Sequence, residues 1–313
     1  MKRLYIFFVV ILLLTSSGCY SQYFLTDNKP PASTEQNEFA EEPLKEPLEQ
    51  GTVYDYCYSL LNTEQKAIYN KILAAAVNMS DGMVYLTDKE DEFSQNVNIA
   101  FSGVTTDHPE LFWVSSDYTT YSKNEEKFYI KLKYYMDKTS KAAFVAALEN
   151  RVEGILAETE GMSYFEKEQY FHDYLCNNVT YTADGVYSRY SVIGALVNGK
   201  AVCEGYSRAM QLLCKAAGIN CSLVKGWSDD TSHMWNIVEI SGEWYELDVT
   251  WDDIGEEGPR YKYFNLTTEE MLKDREIYAV LTEENKDINL KGGKYNLKLP
   301  QCTATTFSKE KLK

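Results

Sequence analysis

Residues 233–251 constrain the fold more than any other stretch of the 313-residue chain. His233-Met-Trp-Asn-Ile-Val-Glu-Ile and Glu243-Trp-Tyr-Glu-Leu-Asp-Val-Thr-Trp both alternate with strand period, and Ser241-Gly242 between them is a tight-turn dipeptide. The pattern predicts an antiparallel hairpin. A two-residue loop sets Ile240 opposite Glu243 and His233 opposite Thr250. Asp248 then lies one diagonal step from His233 on the same face, at about 7–8 Å between backbones. An imidazole and a carboxylate so placed can hydrogen-bond, which fixes the tautomer and stabilises the imidazolium.

Just upstream, Cys203-Glu-Gly-Tyr-Ser opens an amphipathic helix. Tyr206, Ala209, Met210, Leu213 and Ala217 fall on one apolar stripe, and Gly218 supplies the stop. Cys203 is thereby expected in the first turn, where unpaired N–H groups and the helix dipole stabilise an anion and lower a thiol below its usual value of about 8.5. The same amides can hold an oxyanion. Set against His233 and Asp248, the thiol completes a nucleophile–base–orienter chain.

Three blocks in this order resemble the transglutaminase-like superfamily, specifically its exported bacterial members. They are Gly194-Ala-Leu-Val-Asn-Gly-Lys-Ala-Val-Cys203-Glu-Gly-Tyr-Ser-Arg, Ser232-His233-Met-Trp-Asn-Ile, and Trp244-Tyr-Glu-Leu-Asp248-Val-Thr-Trp-Asp-Asp. The resemblance covers about a hundred residues, roughly 163–270, and is joined less specifically by Asp107-His-Pro-Glu-Leu-Phe-Trp113. It implies an α+β, papain-like core in which a helix bearing the cysteine packs on an antiparallel sheet bearing His and Asp. It also implies a Cys203–His233–Asp248 triad that attacks amide bonds through a thioester, as a hydrolase or peptidase, or as a glutamine cross-linking transferase. A non-catalytic surface module that retains the fold is the third reading. The calcium sites of animal transglutaminases have no match here, so no metal or other cofactor is expected. The second oxyanion donor stays open among Tyr190, Ser191 and Asn198.

The rest of the chain supplies an address and a support. Lys2 and Arg3 precede an apolar run, Leu4 to Leu14, about half the length of a membrane-spanning helix, as in a signal peptide. Thr15-Ser-Ser-Gly-Cys19 resembles a lipoprotein box, with Ser16 standing where Leu is usual. Lipidation at Cys19 would make the chain membrane-anchored and outward-facing, and without it the chain would be secreted. Residues 1–18 are therefore read as signal peptide and 19–50, rich in Pro and Glu, as a flexible tether. Residues 51–160 read as an N-terminal α+β region for support or substrate binding, 161–270 as the catalytic core and 271–313 as a C-terminal extension.

Thirty-one basic against 47 acidic residues give a formal charge of −16, which excludes a nucleic-acid binder. The expected partners are a protein or peptide substrate, cell-wall peptide stems included, and the membrane. Ser163 and Glu166 form a capping box that starts a helix carrying His172, which reads as structural because its neighbour Asp173 points elsewhere. His108 reads as a turn residue. Cys57, Cys176, Cys214, Cys221 and Cys302 read as small buried hydrophobes. Asp252-Asp253 reads as a solvated turn. Of the clustered tryptophans, Trp235, on the face of His233, is expected to line the substrate cleft, and the others to pack the sheet.

Overall fold

The computed structural model describes residues 55–183, 187–282 and 294–312. The signal peptide, Cys19 and the tether lie outside the described residues. No described helix is long and apolar enough to cross a membrane.

The N-terminal region runs α1 (Tyr56–Leu60), α2 (Thr63–Asn78), β1 (Val84–Thr87), α3 (Phe93–Asp107), β2 (Val114–Lys123), β3 (Lys127–Tyr134) and α4 (Lys138–Ala157). Its strands form an antiparallel sheet in the order β1-β3-β2. Asp107, at the end of α3, ties three helices together. Its carboxylate accepts from the amides of Cys57 and Tyr58, both at 2.8 Å, and from the Tyr69 hydroxyl at 3.1 Å. α5 (Tyr164–Asn178) begins at the expected box, with the Ser163 side chain accepting from the Glu166 amide and Glu166 accepting from the Ser163 amide. Short strands β4 (Thr180–Tyr181) and β5 (Lys200–Ala201) then pair in parallel, separated by a 3₁₀ turn at Tyr187–Tyr190 and a π turn at Ile193–Val197.

α6 (Cys203–Ala216) follows at once. Tyr206, Ala209, Met210 and Leu213 are completely buried on it, and Gly218 turns the chain away with φ +79°. Its opposite side is not solvated, because the N-terminal region buttresses it. Arg208 and Gln211 donate to the carbonyls of Thr105 and Thr106 at 2.7 and 2.8 Å, and the Lys215 ammonium bridges the Asp107 carbonyl and the Asp55 carboxylate. Apolar side chains of both regions merge into one core. The helix that presents Cys203 is thus fixed along its length.

Beyond it, β6 (Cys221–Ser228), β7 (Thr231–Ile240), β8 (Glu243–Leu247) and β9 (Glu276–Ile277) form an antiparallel sheet in the order β8-β7-β6-β9. Ile240 pairs with Glu243 across a two-residue turn whose Ser241 and Gly242 both have positive φ, 55° and 85°, as a right-twisted hairpin requires. The hairpin register is the one the sequence predicts, but the second strand is shorter. β8 stops at Leu247, and Val249–Asp252 form a helical turn, α7, capped by the Asp248 side chain at the Trp251 amide. Thr250 therefore never faces His233. The sheet is also covered on both sides. Val238, Ile240, Tyr245 and Leu247 join the main core, while Val224, Trp235 and Ile237 pack against Tyr263, Leu266, Met271 and Cys302 from the C-terminal segment. Met271 ends the short α8 (Thr268–Met271).

Because α6 is pinned on two sides, a cavity in its buried stripe cannot collapse. Leu213→Ala is expected to lower the unfolding free energy by about 3 kcal/mol in urea titrations, with the m-value unchanged.

Candidate active site

Cys203 is the first residue of α6, so the amides of the first turn beneath it have no partner within the helix. The preceding residue locks this terminus in place. The Val202 amide donates to the Arg189 carbonyl at 3.1 Å, which seats the 3₁₀ turn against the start of the helix. Gly205 makes that approach possible, since a Cβ there would stand 2.4 Å from the Arg189 oxygen. The six described cysteines are free thiols, and Cys203 is the partly exposed one; Cys57, Cys176, Cys214, Cys221 and Cys302 are buried, as the sequence suggests.

The hairpin brings the other two predicted residues together. His233 Nε2 lies 2.8 Å from Asp248 Oδ2, with the imidazole 7% exposed and the carboxylate fully buried. Nδ1 is left as the ring nitrogen free to face Cys203, which is near enough to raise the imidazole's affinity for its proton. Burial opposes a charge on His233, but the Asp248 carboxylate, its hydrogen bond and the nearby Cys203 outweigh it and lift the imidazole to about 9. For Asp248, burial works against the anion, and the His233 and Arg275 charges overcome it, holding the carboxyl below its ordinary range.

Arg275, in the segment read as an extension, was not singled out by any sequence motif. It is buried, and its Nε and Nη2 both donate to Asp248 Oδ2, at 3.3 and 3.0 Å. Nη1 donates to the carbonyl and carboxylate of Asp274, at 3.0 Å each. The guanidinium lies against the adjoining rings of Trp251 and Tyr263, 4.8 and 4.4 Å from their centroids, the two rings meeting edge-on at 6.2 Å. Its position depends on β9, and β9 depends on Gly226. Gly226 lies opposite His233 on β6, and a Cβ on it would fall 2.0 Å from the Glu276 carbonyl and 2.7 Å from the Trp235 ring.

Three expectations are corrected. Trp235 does not line a cleft. It is completely buried, stacks at 5.9 Å on His233, and donates its indole N–H to Glu246 at 2.7 Å, because the C-terminal segment covers that face of the sheet. Asp252 is not in a solvated turn but fully buried, accepting from the Tyr263 amide and lying 3.3 Å from His172 Nε2. Asp173 does meet its neighbour, at 2.9 Å from His172 Nδ1, the ring nitrogen nearest the backbone and so within reach of a short carboxylate. His172 remains structural in setting. It is enclosed between α5 and α7 and stacked on Tyr261. His108 closes α3 and contacts Glu110 at 2.7 Å.

Two tyrosines occupy the neighbourhood assigned to Trp235. Tyr181 pairs with Ala201, two residues before the thiol, and Tyr190 follows the carbonyl that binds Val202; both are exposed, at 52% and 37%. Burial and the nearby Cys203 and Tyr190 raise the Tyr181 phenol. Of the oxyanion candidates, Ser191 is buried and donates to the Ser188 carbonyl, and the Asn198 amide donates to the Ser188 hydroxyl. Tyr190 and Asn198 are both exposed. Among the described residues, no group of three His, Cys, Asp or Glu side chains converges as metal ligands.

Residues 149–249 match the family model of the transglutaminase-like superfamily. A stretch of 128 residues is 23% identical to the kyphoscoliosis peptidase of Mus musculus, covering 36% of this chain and 19% of that protein. A stretch of 64 residues is 31% identical to the Homo sapiens kyphoscoliosis peptidase, covering 17% and 10%. The chain thus spans less than a fifth of the curated relatives it matches. A solved structure described as a TGase superimposes with a TM-score of 0.35 at 16% identity, covering 58% of this chain and 56% of the other.

The contact at Gly226 gives a direct test of how β9 is held. Gly226→Ala is expected to cost about 2–3 kcal/mol in chemical unfolding, because a backbone carbonyl must move. Gly242→Ala, where the Cβ meets open space and only the positive φ is strained, is expected to cost about 1 kcal/mol.

Proposed function

Taking residues 149–249 as a transglutaminase-like core, we propose that the chain is a cysteine acyl-transfer enzyme that hydrolyses amide bonds in protein or peptide substrates. One observation carries the reading. The one partly exposed thiol among the described cysteines stands at a helix N-terminus, near an imidazole that a buried carboxylate keeps protonated.

The arrangement supports a two-step reaction. The Cys203 thiolate attacks the carbonyl carbon, and the carbonyl electron pair moves to oxygen, toward the free amides of the first turn of α6. The carbon–nitrogen bond breaks as His233 Nδ1 gives its proton to the departing amine, leaving a thioester and a neutral imidazole. Water then attacks the thioester and its proton passes to Nδ1. The carbon–sulfur bond breaks, and the acid leaves with the thiolate–imidazolium pair restored. Tyr181 and Tyr190 form the walls against which the acyl donor lies, and cell-wall peptide stems are among the substrates this reading admits. With an amine in place of water, the same thioester would yield a cross-link. Peptide cleavage or ammonia release without amine incorporation would establish hydrolysis, and amine incorporation would establish transfer.

The first test follows alkylation of each cysteine by iodoacetamide, peptide by peptide, as a function of pH. Cys203 is expected to react faster than Cys214 and Cys221, and to lose that advantage in His233→Ala. A Cys203 as slow as those two and indifferent to His233 would sink the enzyme reading.

With a substrate in hand, kcat/KM is expected to fall on the alkaline side near pH 9, as His233 loses the proton that the leaving amine needs. Asp248 raises that value, so Asp248→Asn is expected to move the alkaline limb down toward about 6.5. His233→Ala is expected to cost about 10²- to 10⁴-fold in kcat/KM.

The proposal also places the enzyme outside the cell on a lipid at Cys19. Cys19→Ala is expected to shift the protein from the detergent phase to the aqueous phase in a phase-partition assay.

A further inference from the structure

The matched core ends at residue 249, yet the buried carboxylate of the His–Asp pair has a second cation, supplied by a residue 26 positions later. A carboxylate with no access to water needs a positive partner in every protonation state of the site. His233 cannot be that partner throughout the proposed reaction, because it is neutral in the thioester state. Arg275 can, since its guanidinium holds its charge at any working pH.

Geometry specifies how the two cations share the anion. His233 Nε2 and the Arg275 Nε and Nη2 all converge on the same oxygen, Asp248 Oδ2, while Oδ1 is taken by the Trp251 amide. Donors that reach one oxygen lie within about 6 Å of each other, a range at which like charges lower each other's proton affinity. The corner formed by the Trp251 and Tyr263 rings and the two bonds to Asp274 keep the guanidinium from swinging away.

We propose that Arg275 is a positioning residue of the catalytic site: it fixes the Asp248 carboxylate and draws off part of its charge, so that the carboxylate stays ionised when His233 is neutral and His233 can release its proton. The charged and titratable groups involved are few. Cys203 faces His233 from α6, Asp248 faces it from the start of α7, and Arg275 stands behind Asp248 beside β9; Glu246 and Asp252 add negative charge around Asp248. In the absence of Arg275 the whole carboxylate charge would fall on the imidazole, which would become a tighter ion pair and a poorer proton donor. The catalytic consequence rests on the function proposed above, but the electrostatic one does not.

The test therefore reads the imidazole directly and needs no substrate. The chain has three histidines, so ¹⁵N-histidine NMR can follow each through a pH titration, with His233 assigned from a His233→Gln variant. Against wild type, Arg275→Gln is expected to raise the His233 midpoint by about one pH unit, Arg275→Lys to leave it nearly in place, and Asp248→Asn to lower it. The signals of His108 and His172 report whether the fold has survived. Should Arg275→Gln not fold, the double variant Asp248→Asn/Arg275→Gln removes the buried pair as a unit, and it is expected to titrate above Asp248→Asn alone. A His233 midpoint unmoved or lowered in Arg275→Gln, or equal in the double and single Asp248 variants, would overturn the proposal and leave Arg275 a packing residue. Failure of Cys203 to show activated alkylation would instead overturn the enzyme reading while leaving this electrostatic result intact.

Discussion

The structure around the thiol depends on one buried anion. Asp248 has no exposure to solvent, and an isolated carboxylate in such a place would take up a proton rather than remain charged. It stays ionised because each oxygen is used: Oδ2 by His233 and Arg275, Oδ1 by the amide that opens α7. These bonds come from three directions in the chain. The carboxylate is consequently a junction where β7, α7 and the segment leading into β9 are fastened at one point. Removing either cation would throw the whole charge onto the other, which is why the junction is better regarded as a unit than as a set of pair interactions.

Layers of support extend outward from that junction. His172, enclosed between Asp173 and Asp252, secures α7 to α5. Burial alone would strip its charge, but the flanking carboxylates and Cys176 keep it protonated well above the ordinary imidazole range. The His172 cluster resembles the Cys203–His233–Asp248 set in composition, with a thiol, an imidazole and a carboxylate, and differs in that its thiol and imidazole are buried. The two groups lie in one core and differ in access, one being closed and the other open at Cys203. On the far side of α6, Arg208, Gln211 and Lys215 join the helix to the N-terminal region, so the first half of the described chain acts as a wall behind Cys203. That arrangement gives the region a mechanical role whatever it contributes to binding.

The sequence was legible wherever the signal was local. The Ser163 box, the stripe on α6 and the Ser241-Gly242 turn are each decided by residues within a few positions of one another, and each stands where its pattern puts it. Legibility failed where a distant segment intervened. Trp235 read as a cleft residue because alternation distinguishes two faces of a strand but cannot say whether the second face is wet. Tyr263, Leu266, Met271 and Cys302 arrive from farther along the chain and dry it. Asp252 read as solvated for the same reason. Arg275 gave no signal at all, since one arginine among polar residues has no spacing to be recognised by.

By itself, then, the sequence determined the helix that begins at Cys203, the hairpin that puts His233 and Asp248 on facing arms, and the order in which they occur. Those are consequences of helical and strand periodicity and of turn chemistry, and they act over short separations. Only the tertiary structure decided that Asp248 is fully buried, that it is shared between an imidazolium and a guanidinium, and that tyrosines rather than a tryptophan stand exposed near the thiol. The physical reason is that burial and charge compensation are properties of packed surfaces. They exist only once residues distant in the chain, such as Asp248 and Arg275, are pressed together and water has been excluded from between them.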